Sequence, residues 1–161
     1  MQLRILRLAA RTHMQGSLLQ ARGRLDEASM AYRRTVEILP SAFYAWHDLA
    51  QVELQRGRFD EAASAYRGLL RAYPFKYTAA LYREVGFVEL RANRLELAHQ
   101  DLLQAVALDP NDWLAQYYLG HVYRRLRNLT AARAAWQRTL TLRPGFEPAR
   151  DQLLRIDAPL P

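Results

Sequence analysis

The stretch Trp113–Pro144, WLAQYYLGHVYRRLRNLTAARAAWQRTLTLRP, decides the fold. In it Leu119-Gly120 is followed by Tyr123, then by Ala132, Trp136 and Pro144. The same order recurs up the chain. Ala28, Ala62, Ala98 and Ala132 stand 34, 36 and 34 residues apart, and Pro40, Pro74, Pro110 and Pro144 keep those intervals. Tyr32, Tyr66, Leu102 and Trp136 form a third class in the same register. Gly16, Gly86 and Gly120 form a fourth, with Ala50 in the equivalent place of the second copy. A fixed period in this range, with apolar residues at helical spacing and no period-two alternation, marks stacked pairs of helices.

Working outward, each copy divides into an A and a B helix. Gly23 and Gly57 suit the left-handed conformation that ends many helices, and Asn93 is the next-best residue for it. Arg127-Asn128 holds that place in the last copy. B helices are expected at Leu25–Ile38, Phe59–Ala72, Leu95–Leu108 and Leu129–Leu142. The alanine one turn into each lets the A and B helices approach closely. Proline then closes the copy, because it lacks an amide hydrogen and disfavours helix in the residue before it. Asp109-Pro110-Asn111-Asp112 is the best-formed junction, with Asn111 or Asp112 able to cap the next helix. A final helix from Glu147 carries Leu153, Leu154 and Ile156 on one side.

As a set, these positions resemble the tetratricopeptide repeat, a helix–turn–helix unit of this length. The resemblance implies an all-α, right-handed α–α superhelix, a solenoid of about four repeats. They would lie at 9–42, 43–76, 79–112 and 113–146, after a helical extension at 1–8 and before a capping helix at 147–157 and a frayed tail at 158–161. Thr12 stands where the family favours Trp, Glu53 where it favours Tyr, and a two-residue insertion near Phe75–Thr78 breaks the strict period.

Composition narrows the class. The chain has 161 residues, half of them hydrophobic, which suits a folded domain or short solenoid. It has no cysteine, so disulfides and Cys-based zinc sites are excluded. The formal charge is +7, and Lys76 is the only lysine. No apolar run approaches the roughly 20 residues of a membrane span. Met1–Ala10 has Arg4 and Arg7 interleaved with its apolar residues and lacks the uninterrupted core of a secretory signal. A cytoplasmic location is the default expectation. Leu3, Ile5, Leu6 and Leu8 make self-association through this end an expectation too.

What the resemblance implies about function centres on the A helices, whose inward face lines a groove in the family. Matched position by position, the first copy offers His13 and Ser17, and the second Tyr44, His47, Asp48 and Gln51. The third offers Arg83, Glu84 and Phe87, with Leu90 and Arg91 further along the stripe. The fourth offers Tyr117, Tyr118, His121, Arg124 and Arg125, and the last helix adds Asp151 and Arg155. Tyr and Arg are enriched where proteins bind proteins, since each joins a large contact area to a polar end. The expected role is a scaffold or adaptor, or an assembly factor, that docks a peptide or partner protein of acidic character. The alternative is RNA or another polyanion held by the Arg- and Tyr-rich C-terminal half.

Sharper readings fall away. Some family members grip a C-terminal carboxylate with a Lys/Asn/Asn/Lys/Arg clamp; here those places hold His13, Ser17, Asp48, Ala80 and Glu84, so that clamp is absent. His13 and His47 sit at equivalent places on successive repeats, whose axes should lie about 8–10 Å apart. That is a poor arrangement for a shared metal ion, and no metal or cofactor is expected. No phosphate-binding glycine loop, HExxH motif or nucleophile elbow occurs, so no enzyme is expected. The acidic pairs Asp26-Glu27 and Asp60-Glu61 fit the positive ends of helices.

Overall fold

The turn inside each helical pair needs one residue with positive φ, and four such residues occur among the described residues. They are Gly23 (φ 73°), Gly57 (φ 72°), Asn93 (φ 59°) and Arg127 (φ 60°). The structure, a computed structural model, describes residues 2–72 and 78–157. Among them are nine helices: α1 (Gln2–Ala21), α2 (Leu25–Ile38), α3 (Phe43–Gln55), α4 (Phe59–Ala72), α5 (Ala79–Arg91), α6 (Leu95–Leu108), α7 (Trp113–Arg125), α8 (Leu129–Leu142) and α9 (Glu147–Asp157). No strand occurs among the described residues. The fold is an all-α helical repeat of the solenoid class. Pro74, the insertion at 75–77 and the tail 158–161 lie outside the described residues.

The chain forms two compact units, Met1–Tyr77 and Thr78–Pro161. In the first, α1 pairs with α2 and α3 with α4, and α2 packs on α3. In the second, α5 pairs with α6 and α7 with α8; α6 and α5 both meet α7, and α9 lies on α8. The B helices occupy the spans expected from spacing. At the last inner turn the two candidate residues divide the work. Arg127 takes the left-handed conformation, while the Asn128 side chain caps α8 by accepting from Ala131 N at 3.1 Å. Asp112, not Asn111, caps α7, accepting from Leu114 N and Ala115 N at 3.2 and 3.0 Å. Thr78 caps α5 through Leu81 N.

Each core is built from the recurring positions. Ala28, Ala62, Ala98 and Ala132 are all fully buried, as are Leu102 and Trp136. The rings of Tyr32 and Trp136, and the Leu102 side chain, lie against the bare backbones of Gly16, Gly120 and Gly86. A Cβ on Gly16 would stand 2.7 Å from the Tyr32 ring, and one on Gly86 would stand 2.6 Å from Leu102. Glycine there lets the helices approach to a distance that a methyl group would prevent.

Glu53 departs from the family's tyrosine by placing a carboxylate in the core of the first unit. Its side chain is fully buried and surrounded by donors: Ser29 Oγ at 2.5 Å, Arg33 Nη2 at 2.8 Å and Arg56 Nη1 at 2.9 Å. Burial pushes this carboxyl up. The hydrogen bonds from Ser29 and Arg33, with the charges of Arg56 and Arg33, outweigh that and hold it below the ordinary value. Arg56 is itself nearly buried and also reaches Asp26 at 2.5 Å. One carboxylate therefore ties α2 to the end of α3. In the second unit the equivalent Glu89 is also fully buried, 3.5 Å from Arg94.

Two stability predictions result. Glu53→Ala leaves Arg56 with half its partners and should cost about 3 kcal/mol or more in chemical denaturation, as breaking buried ion pairs does. Because its folded pKa is depressed, the Glu53 contribution is complete above about pH 4.3 and is lost as pH falls through the lower folded value. Arg127→Gly should stabilise the chain by about 0.5–1 kcal/mol, the left-handed penalty of a side chain less the entropy of glycine.

Candidate functional site

The expected groove residues fall into two groups, one in each unit, and each is described by itself. In the first unit they bind mainly one another. His13 Nε2 lies 2.7 Å from Asp48 Oδ2, and His47 Nδ1 lies 3.4 Å from Asp48 Oδ1. Burial raises the Asp48 pKa, but the hydrogen bonds and charges of His47 and His13 overcome that and leave it lowered. Tyr44 meets the His13 ring edge-on at 4.7 Å. Ser17 Oγ donates to its own helix at His13 O and receives the Tyr32 hydroxyl, both at 3.3 Å. Gln51 donates to the Tyr66 hydroxyl at 2.8 Å. The face is half-exposed and polar, and its two histidines converge on a carboxylate. No group of three or more potential metal ligands is gathered among the described residues.

The second unit differs. Phe87 on α5 and Tyr118 on α7 lie ring against ring, with centroids 4.8 Å apart and planes 31° apart. Tyr117 meets His121 edge-on at 4.6 Å and Phe146 at 5.0 Å. Together with Leu90, Arg91, Arg124 and Arg125, these α5 and α7 residues line an open cavity of about 240 Å³. Phe87, Tyr117, Tyr118 and His121 are all half-buried, so none is sequestered from the opening.

Local helix geometry explains the arrangement. Tyr117, His121 and Arg124–Arg125 follow one another down one face of α7 at helical spacing, and Phe87 and Arg91 do so on α5. The aromatic groups therefore sit one turn before the guanidiniums. Arg125 Nη1 donates to Leu90 O at 2.8 Å, satisfying a carbonyl at the end of α5. Arg124 Nη1 donates to Gln152 Oε1 at 3.0 Å. Neither Arg124 nor Arg125 forms an ion pair with a described residue. Arg83 is placed otherwise, 2.7 Å from Asp112 Oδ2, where it braces the α7 cap. Glu84 is half-buried on α5. Arg155 is exposed on α9, and its charge and that of Asp151 both reach Tyr117.

Burial dominates the acid–base behaviour. It raises the Tyr117 and Tyr118 hydroxyls, which stay protonated. Burial, aided by the charges of Arg124 and Arg125, lowers His121 to about 4. At neutral pH the cavity thus presents neutral aromatic walls and an arginine rim.

Three contributors were not among the expected groove residues. Trp136 lies beneath the cavity, its ring 5.4 Å from His121 and 6.0 Å from the Arg124 guanidinium. Its recurring position signalled packing alone. Phe146 is the last residue of the fourth copy, in register with Ala42 and Asp112, a place that holds no recurring residue type, and Gln152 lies on the last helix.

The tetratricopeptide-repeat family model matches residues 13–77 and 88–145. The chain is a member of the tetratricopeptide-repeat (TPR) family. No curated protein matches it. Among solved structures it is similar to MamA, with 22% identity over 88% of this chain and 81% of that one and a TM-score of 0.79. It is also similar to YrrB, described as a TPR protein with an unusual peptide-binding site, with 23% identity over 90% and 74% of the two chains and a TM-score of 0.74. Pseudomonas aeruginosa PilF matches at 22% identity over 94% of this chain and 68% of its own, with a TM-score of 0.69. At these identities the likeness shows the fold.

Proton NMR of the His121 ring should give a midpoint near 4. The unfolded chain takes that proton first, near pH 6.5, so His121 makes stability fall as pH drops from there toward 4. A midpoint close to 6.5 would contradict the burial that keeps this wall neutral.

Proposed function

We propose that the chain is a non-catalytic docking scaffold, an adaptor or assembly factor that holds a partner protein or peptide on the A-helix face. Membership of the TPR family supports protein interaction in general. The observation that carries the reading to a surface is the cavity between α5 and α7, half-exposed aromatic side chains bordered by arginines. Aromatic and arginine anchors in a preformed depression are what protein interfaces use for most of their binding energy. The helical pairs fix these side chains before any partner arrives, so little ordering cost opposes docking. No helix among the described residues is long and apolar enough to cross a membrane. Self-association forms a second part of the proposal: Leu3, Ile5, Leu6 and Leu8 are exposed on the first turns of α1.

The double variant Tyr117→Ala/Arg124→Ala should still fold and unfold cooperatively, at a lower melting temperature, while losing about 2 kcal/mol of partner affinity, roughly thirtyfold. The check is affinity purification from the native host with both chains, followed by titration of the partner that the wild type enriches. Unchanged affinity in the folded double variant would sink the groove reading. Sedimentation at rising concentration should show association that Leu3→Asp/Leu6→Asp abolishes.

A further inference from the structure

We propose that the α5–α7 cavity recognises a peptide in which an aromatic side chain stands beside a carboxylate. This rests on the docking reading above and adds the chemistry of the ligand. The first observation is charge. Arg124 and Arg125 use one N–H each on neutral acceptors, Gln152 Oε1 and Leu90 O, and neither is ion-paired with a described residue. Two adjacent guanidiniums that keep donors and charge beside an apolar hollow are complementary to an anion. The first unit shows the contrast: there the groove-face histidines already hold Asp48.

The second observation is spacing. His121 and Arg125 are four residues apart on α7, so about 6 Å of helix separates the aromatic wall from the cationic rim. In an extended peptide, side chains two residues apart share a face and stand about 6.6 Å apart, a similar distance. A cavity of about 240 Å³ is of a size to receive one bulky side chain. Its lining is rich in aromatic rings, against which an aromatic side chain packs edge-on.

The third observation separates peptide from nucleic acid. Stacking a base requires an uncovered aromatic face. The Tyr118 ring already lies against Phe87, and Tyr117 is packed against His121 and Phe146. Phosphates would find the arginines, but the bases would find rings that already have neighbours. One or two carboxylates beside a single ring suit the site better than a phosphate chain.

Fluorescence anisotropy on the full chain tests this with labelled peptides. The probes are Ser-Asp-Gly-Phe-Gly-Asp-Ser amide, its Asn-Gly-Phe-Gly-Asn and Asp-Gly-Ala-Gly-Asp counterparts, and Ser-Gly-Ser-Gly-Phe with a free or amidated C-terminus. The Asp-Gly-Phe-Gly-Asp peptide should bind about tenfold tighter than either counterpart, the size of one charge-assisted hydrogen bond. Arg124→Gln should erase the Asp-over-Asn preference, and Arg124→Lys should restore part of it. A preference for the free C-terminus over the amide would assign the same anion site to a terminal carboxylate. Equal binding of the Asp and Asn peptides, still lost in Tyr117→Ala, would overturn the acid chemistry and leave the docking reading standing. Binding of every peptide unchanged in Tyr117→Ala would overturn both. Displacement of the Asp-Gly-Phe-Gly-Asp peptide by a ten-residue oligouridine at lower concentration would overturn the proposal in favour of nucleic acid.

Discussion

A bulky side chain laid on a bare glycine backbone sets the spacing within three of the helical pairs. Tyr32 lies on Gly16, Leu102 on Gly86 and Trp136 on Gly120, sixteen residues along in each case. The second copy has Ala50 at the glycine place and makes its close approach elsewhere: there the Trp46 ring of the A helix covers Gly68 of the B helix. The constraint is one of volume. In each of these four close approaches the residue beneath a large ring or branched side chain gives up its own side chain, on the A helix in three pairs and on the B helix in the second, because a packed interior has no spare space.

The candidate site depends on this contact. Trp136 reaches through the α7–α8 pair and donates its Nε1–H to Tyr117 O at 3.1 Å. Its ring stands against His121 and near Arg124. The tryptophan that closes the last pair therefore also supports three residues of the cavity from behind. Desolvation of His121 follows from this packing and from Tyr117, and it keeps the wall uncharged at neutral pH. Stability and recognition share the same side chain here.

Much of this was legible in the sequence because volume recurs. Period, helix spans and the small residues at crossings follow from residue size at fixed intervals. What the period does not carry is the direction of long polar side chains. His13 and His47 read as groove positions, and the contact both make with Asp48 is not written in the period. Nor is the reach of Arg83 to Asp112. Arg127 was obscure as a left-handed residue because nothing in an arginine side chain favours that conformation; the freedom of Asn128 to cap α8 decides the matter. Phe146 gave no signal, since the same place in earlier copies holds Ala42 and Asp112, neither of them aromatic. Glu53 was visible as a departure from the family, but the buried Ser29–Arg33–Arg56 set that holds it is assembled from two helices.

The most direct test of the volume constraint is a double-mutant cycle on Gly120 and Trp136, read by denaturant unfolding. Gly120→Ala alone should cost about 1–3 kcal/mol, because the new methyl overlaps the indole. Adding Trp136→Tyr recreates the alanine–tyrosine combination of Ala50 and Tyr66. The double variant should then be more stable than the sum of the two singles by about 1 kcal/mol or more. Additive losses would mean that the ring and the glycine are not coupled, and the account of how these helices close would be wrong.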